Sequence, residues 1–136
     1  MGLRDRLLDL RIEDRLSYDP ASNTIFMNYS GMRVRTLADL DRIKAAVDRI
    51  LGPLNKKVYS IVKYDRFEAD PDVTNAYLDL VRYVEERYYI AVSRYTNSGF
   101  MRLKLGSELN KRRVSSQVFE SSAEARNNLQ GFGRNA

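Results

Sequence analysis

The chain contains no histidine and no cysteine. The first absence removes the commonest general base, the commonest metal ligand and every Ser-His-Asp or Cys-His arrangement. The second removes disulfides, a thiolate nucleophile and cysteine zinc sites, and it suits a reducing compartment. The seven glycines form neither G-x-G-x-x-G nor G-x-x-x-x-G-K-[ST], so no glycine-rich phosphate cradle is present. No apolar run approaches the roughly 18 residues needed to cross a bilayer. The opening MGLRDRLLDL carries charge where a signal peptide needs its apolar centre. A cytoplasmic protein with no membrane partner is expected.

What is present fits one domain, since 136 residues suffice for a single ordinary core. The net charge of +5 is unevenly placed: residues 1–93 hold 15 basic and 15 acidic side chains, residues 94–136 hold 8 and 3. A basic last third could meet an anionic ligand, nucleic acid or an acidic partner, although a solvated surface explains it as well.

Residues 1–10 alternate charged and apolar types around Leu3, Leu7, Leu8 and Leu10, and read as either a linker or a short helix. Arg15 to Tyr18 and Thr24 to Tyr29 read as strands joined by the turn sequence DPASN, hence a β-hairpin. Thr36 with Asp39 starts a helix whose stripe is Leu37, Leu40, Ile43, Val47, Ile50 and Leu51. Gly52-Pro53 ends it, with Gly52 expected in a left-handed cap. The centre of the chain is VYSIVKYDRF, a helix opened by Asp70 as N-cap and Pro71, then YYIAVSRY. A strand, a helical crossover and a second strand oblige the two strands to lie parallel and adjacent. A third helix, about Phe100 to Leu109, is expected to pack Phe100 and Leu103 on the sheet, with Leu109 as a further candidate. VSSQVF is the last parallel strand, and Ser121 with Glu124 caps a terminal helix over SAEARNNL. Residues 130–136 read as a frayed tail. The expected fold is α/β: a mixed sheet made of an N-terminal hairpin and a parallel βαβαβ unit, with four helices, over residues 11–129.

This order resembles the STAS domain of bacterial anti-sigma-factor antagonists, and more closely the divergent STAS-like group. Those antagonists place a phosphorylatable serine, commonly in an Asp-Ser-Ser-Gly type sequence, after the corresponding central strand. Here the junction reads YDRFEADPDVTN, with Thr74 the only nearby hydroxyl, so that switch does not carry over. A second resemblance is more specific. RIEDRLSYDPASNTIFMNYSGMRVRT, VKYDRFEADPD, YYIAVSRYTNSGFMRLKLG and VFESSAEAR, covering residues 11–126, resemble the C-terminal extension of acyl-CoA:acetate/3-ketoacid CoA-transferases, including propionate CoA-transferase-like enzymes. In that family a glutamate of the transferase domains attacks the acyl-CoA. No glutamate here matches its motif. The resemblance implies a non-catalytic accessory or interaction domain of a bacterial CoA-transferase, partnered by transferase domains or by itself. The alternative is a free-standing STAS-like regulatory protein, or one that binds a lipid or another small anionic ligand.

Asp65, Glu68, Asp70 and Asp72 cluster after the central strand, but Asp70 reads as a cap, Asp72 suits a helix N-terminus and the spacing is not that of an EF-hand. No metal site and no catalytic residue are expected. The nine tyrosines, interleaved with arginine in RYYIAVSRY, read as core edge, and no RNP-type motif supports a nucleic-acid partner. In an open α/β sheet ligands favour the carboxyl ends of parallel strands. That singles out the loops Tyr64 to Ala69 and Thr96 to Gly99. Tyr64, Asp65, Arg94, Thr96, Asn97, Ser98 and Arg102 are therefore the candidate anion-site residues, with Asn97 or Ser98 capping the helix and the arginines facing a ligand such as a phosphate of CoA. On this reading no cofactor is required, and Arg94 and Arg102 could be replaced by Gln without loss of stability.

Overall fold

The computed structural model describes residues 12–134, and the expected linker or short helix over residues 1–10 lies outside them. A 3-10 turn, Ile12–Arg15, leads into β1 (Leu16–Asp19), which pairs antiparallel with β2 (Thr24–Asn28). Three further strands join the main sheet: β4 (Val58–Lys63), β6 (Tyr89–Tyr95) and β7 (Val118–Phe119). Its order is β1-β2-β4-β6-β7, and every pairing after the hairpin is parallel. The fold is thus α/β, with the expected hairpin followed by parallel strands.

Four helices complete the described residues: α1 (Leu37–Leu51), α2 (Pro71–Tyr88), α3 (Gly99–Lys111) and α4 (Ser122–Arg134). Alternation along the strands sends Ile25, Met27, Val62, Tyr64 and Tyr89 to one face, where they cluster with apolar residues of α1, α2 and α3. Ile61 and Ala91 face the other way and pack on Ala125 and Leu129 of α4. Burying one side chain such as Leu51 or Leu78 contributes about 1.5–3 kcal/mol relative to exposure. Capping follows the sequence at α1, where Thr36 Oγ1 accepts from Asp39 N at 3.2 Å and Asp39 Oδ2 accepts from Thr36 N at 3.1 Å.

Several local expectations are corrected. Gly52 stays right-handed: without a Cβ it does not clash with the Pro53 ring, so the chain makes one more 3-10 turn and Asn55 takes the left-handed position. Leu37 is exposed rather than part of the buried stripe. Asp70 makes no side-chain cap, because its carboxylate turns to Arg33 Nε at 3.4 Å. Phe100 and Leu103 face solvent, whereas Leu109 packs inward as the sequence allowed, joined by Leu105. The last strand is only Val118–Phe119, because α3 ends in a Schellman motif. There Arg113 is left-handed, its N–H bonds Asn110 O at 3.1 Å, Val114 N–H reaches Leu109 O at 3.3 Å, and Val114 joins the core. The terminal helix continues past Leu129 to Arg134, through part of the stretch read as a tail.

One arrangement was not anticipated at all. The loops after β2 and β4 take the same turn: Met32 N–H bonds Tyr29 O, Phe67 N–H bonds Tyr64 O, each at 3.1 Å, and Gly31 and Arg66 both have positive φ. The loops then run side by side as a two-stranded parallel sheet of β3 (Arg33–Val34) and β5 (Glu68–Ala69). Gly31 N–H to Asp65 O at 2.8 Å and Glu68 N–H to Met32 O at 3.0 Å fasten them together. The carboxyl end of the sheet is therefore built from braced loops.

Candidate functional site

At the carboxyl ends of β4 and β6 the sequence-derived residues separate into two groups. Asp65, Thr96, Asn97, Ser98 and Arg102 meet in one loop cluster. Asp65 Oδ1 accepts from Thr96 Oγ1 at 3.0 Å and from Asn97 N at 2.9 Å. Ser98 is the N-cap of α3, its Oγ accepting from Met101 N at 3.1 Å. Arg102 Nη1 donates to Thr96 O at 2.9 Å. The donors a bound anion would need are largely engaged, and a carboxylate already occupies the position beside the Asn97 amide. The favourable interaction of negative charge with this helix N-terminus is supplied by the chain itself. Thr74, the only hydroxyl near the α2 start, donates to Asp70 O at 3.0 Å.

Arg94 and Tyr64 belong elsewhere. Residue alternation turns both toward the face covered by α2, where they line a cavity of about 30 Å³ with Tyr29, Tyr77 and Tyr89. Arg94 is 2% exposed, and its Nη1 donates to Ser115 O at 2.6 Å while Nη2 lies 3.5 Å from Glu85 Oε1. Its Nε has no hydrogen-bond partner. Burial works against the charge, and the Tyr64 hydroxyl and Glu85 carboxylate more than offset it, so Arg94 holds its proton more firmly than an exposed arginine. Tyr64 and Tyr77 share a hydroxyl–hydroxyl hydrogen bond of 2.7 Å. Burial first, and neighbouring phenols second, push Tyr77 well above the ordinary phenol range. This is a closed core constellation, so replacing Arg94 perturbs packing and charge inside the protein, contrary to the expectation of unchanged stability.

Two surface features were missed in the sequence. One is an arginine-lined cleft of about 150 Å³ at the carboxyl end of β2, between the 3-10 turn Ile12–Arg15, β3 and the start of α1. Its sequence signal was RVR, two arginines flanking one apolar residue, which at strand period share a side. The other is the outer face of α3. Phe100 and Leu103 are 77% and 79% exposed there, one helical turn apart and flanked by Arg102 and Lys104.

Among the described residues no group of three acidic, histidine or cysteine side chains is placed to hold a metal ion, and no helix is long and apolar enough to cross a membrane. No family model, no curated protein and no solved structure matches this chain.

Proposed function

We propose that this chain is a non-catalytic accessory domain of a bacterial, cytoplasmic acyl-CoA:acetate/3-ketoacid CoA-transferase, and that it docks on the transferase domains through the outer face of α3. The observation that carries the reading is the exposure of Phe100 and Leu103 on a helix whose opposite side, Leu105 and Leu109, is buried. An aromatic and a leucine presented together lose favourable free energy in water and gain it when a partner covers them. Arg102 and Lys104 beside them favour a partner surface with an apolar centre and an acidic rim. The resemblance over residues 11–126 supplies the identity of that partner.

Two measurements test this. Incubated alone with acetyl-CoA and propionate, the chain is expected to give no CoA transfer above background, and turnover would overturn the non-catalytic assignment. Titrated into separately produced transferase domains of such an enzyme, the wild-type chain is expected to bind, and Phe100→Ser with Leu103→Ser to weaken binding at least about tenfold. Equal binding by the variant, or none by the wild type, overturns the docking face.

A further inference from the structure

The arginine-lined cleft has the composition of an anion site. Arg15, Arg33, Arg35 and Arg42 surround it, and Asp39 is the one acidic residue in its lining. The Asp39 carboxylate is turned to the backbone, accepting from Arg35 N at 2.9 Å and Thr36 N at 3.1 Å as part of the helix cap. Arg15 is held in place by carbonyls, donating to Asn28 O at 3.1 Å and Ser30 O at 2.9 Å, which orient the guanidinium without neutralising it. Arg33 has acidic neighbours only at 3.4 and 3.8 Å and is half exposed, an arrangement that is weak in solvent and easily exchanged. Arg35 and Arg42 have no ion-pair partner among the described residues. Ile12, Met32 and Ile43 make the rest of the lining apolar.

With Arg33 paired, Arg15, Arg35 and Arg42 still line one concavity without an ion pair among the described residues, which is electrostatically unfavourable until something negative enters it. Their planar forks match the oxygens of a phosphate, and several forks around one volume match a group with more than one charge. The volume is below the range of sites that enclose a whole drug-sized ligand, so it suits a head group with the remainder of the molecule outside. Residues 1–93, which supply the whole cleft, carry 15 basic and 15 acidic side chains, so its arginines do not belong to a net basic segment of the chain. That distribution favours a compact anion over a nucleic-acid strand.

We propose that this cleft binds the phosphate or diphosphate group of a small molecule, with Arg35 and Arg42 as its free cationic contacts and Arg15 as a pre-oriented one. The site lies at the β2 side of the sheet, whereas the α3 face follows β6, so it does not depend on the docking reading. Inorganic pyrophosphate is the probe. By calorimetry at low ionic strength the wild-type chain is expected to bind it, more weakly as salt is added. Arg35→Gln with Arg42→Gln should lower the affinity at least about tenfold, and Arg42→Gln alone by less. Both arginines are exposed, so the thermal melts of these variants should overlay that of the wild type. The control Arg82→Gln with Lys104→Gln should bind as the wild type does, and so should Phe100→Ser with Leu103→Ser, which separates this site from the α3 face. No binding at millimolar pyrophosphate, equal loss in the control, or tighter binding of a single-stranded oligonucleotide with the same variant sensitivity would each overturn the proposal.

Discussion

Glu85 and Arg94 form an asymmetric pair, and removing one partner should cost far more than removing the other. Arg94 is 2% exposed and Glu85 20%, with 3.5 Å between Nη2 and Oε1. At an effective dielectric of about 20 that separation corresponds to roughly 4–5 kcal/mol of attraction, before solvent at the Glu85 side reduces it. Glu85→Gln leaves a buried guanidinium without its counter-charge, and we expect a loss of about 3 kcal/mol. Arg94→Met removes the desolvated charge itself. Glu85 then keeps the Ser115 N–H at 3.1 Å and the Ser115 hydroxyl at 3.2 Å, and the chief loss is the 2.6 Å bond to Ser115 O, worth about 1 kcal/mol. Urea unfolding followed by circular dichroism gives each value by linear extrapolation. The double variant should resemble Arg94→Met, with a coupling of about 3 kcal/mol. A larger loss for Arg94→Met than for Glu85→Gln would refute this reasoning, because Arg94 would then be held by something other than Glu85.

Four further outcomes follow from local geometry. Burial opposes the charge on Asp48, but hydrogen bonds from Tyr88 at 2.5 Å, Lys44 at 2.9 Å and Tyr83 at 3.1 Å outweigh it and hold the carboxyl below its ordinary value. That stability is present above the ordinary carboxylate range and is lost as pH falls through the lower folded value, so Asp48→Asn should flatten the acid limb of a stability–pH curve. At the other end, burial raises the phenols of Tyr29, Tyr77, Tyr88 and Tyr89, so stability should be full below the ordinary phenol range and decline as pH rises through the folded values, with the phenolate absorbance of the fully buried Tyr29, Tyr77 and Tyr89 appearing on unfolding. Arg66 and Arg113 have φ of 54° and 58°, so Arg66→Gly and Arg113→Gly should each raise the unfolding free energy by about 0.5–1 kcal/mol. Gly31→Ala, at φ 69° with open space around its Cβ position, should lower it by about 1 kcal/mol through backbone strain alone, all by urea titration.

The sequence by itself determined the hairpin, the parallel β4-α2-β6 unit and the cap at Thr36, because periodicity, turn chemistry and capping are properties of neighbouring residues. It also placed Asp65, Thr96, Asn97 and Ser98 in one loop cluster, since the carboxyl ends of adjacent parallel strands must come together. It did not say where each side chain would point once several elements competed for it. Arg94 sits in a strand of mostly apolar residues, and only the register opposite Val62, under α2, turns its guanidinium into the core. Phe100 looked like core and is exposed, because the rotation of α3 is set by Leu105, Leu109 and the Val114 that follows its Schellman turn. β2 read as half of a hairpin, yet it is also the parallel neighbour of β4, which makes the loop after it another carboxyl-end loop and brings four arginines around one cleft. Strand adjacency is a long-range choice: it depends on which apolar faces bury the most area together, and no local pattern of residues contains that sum.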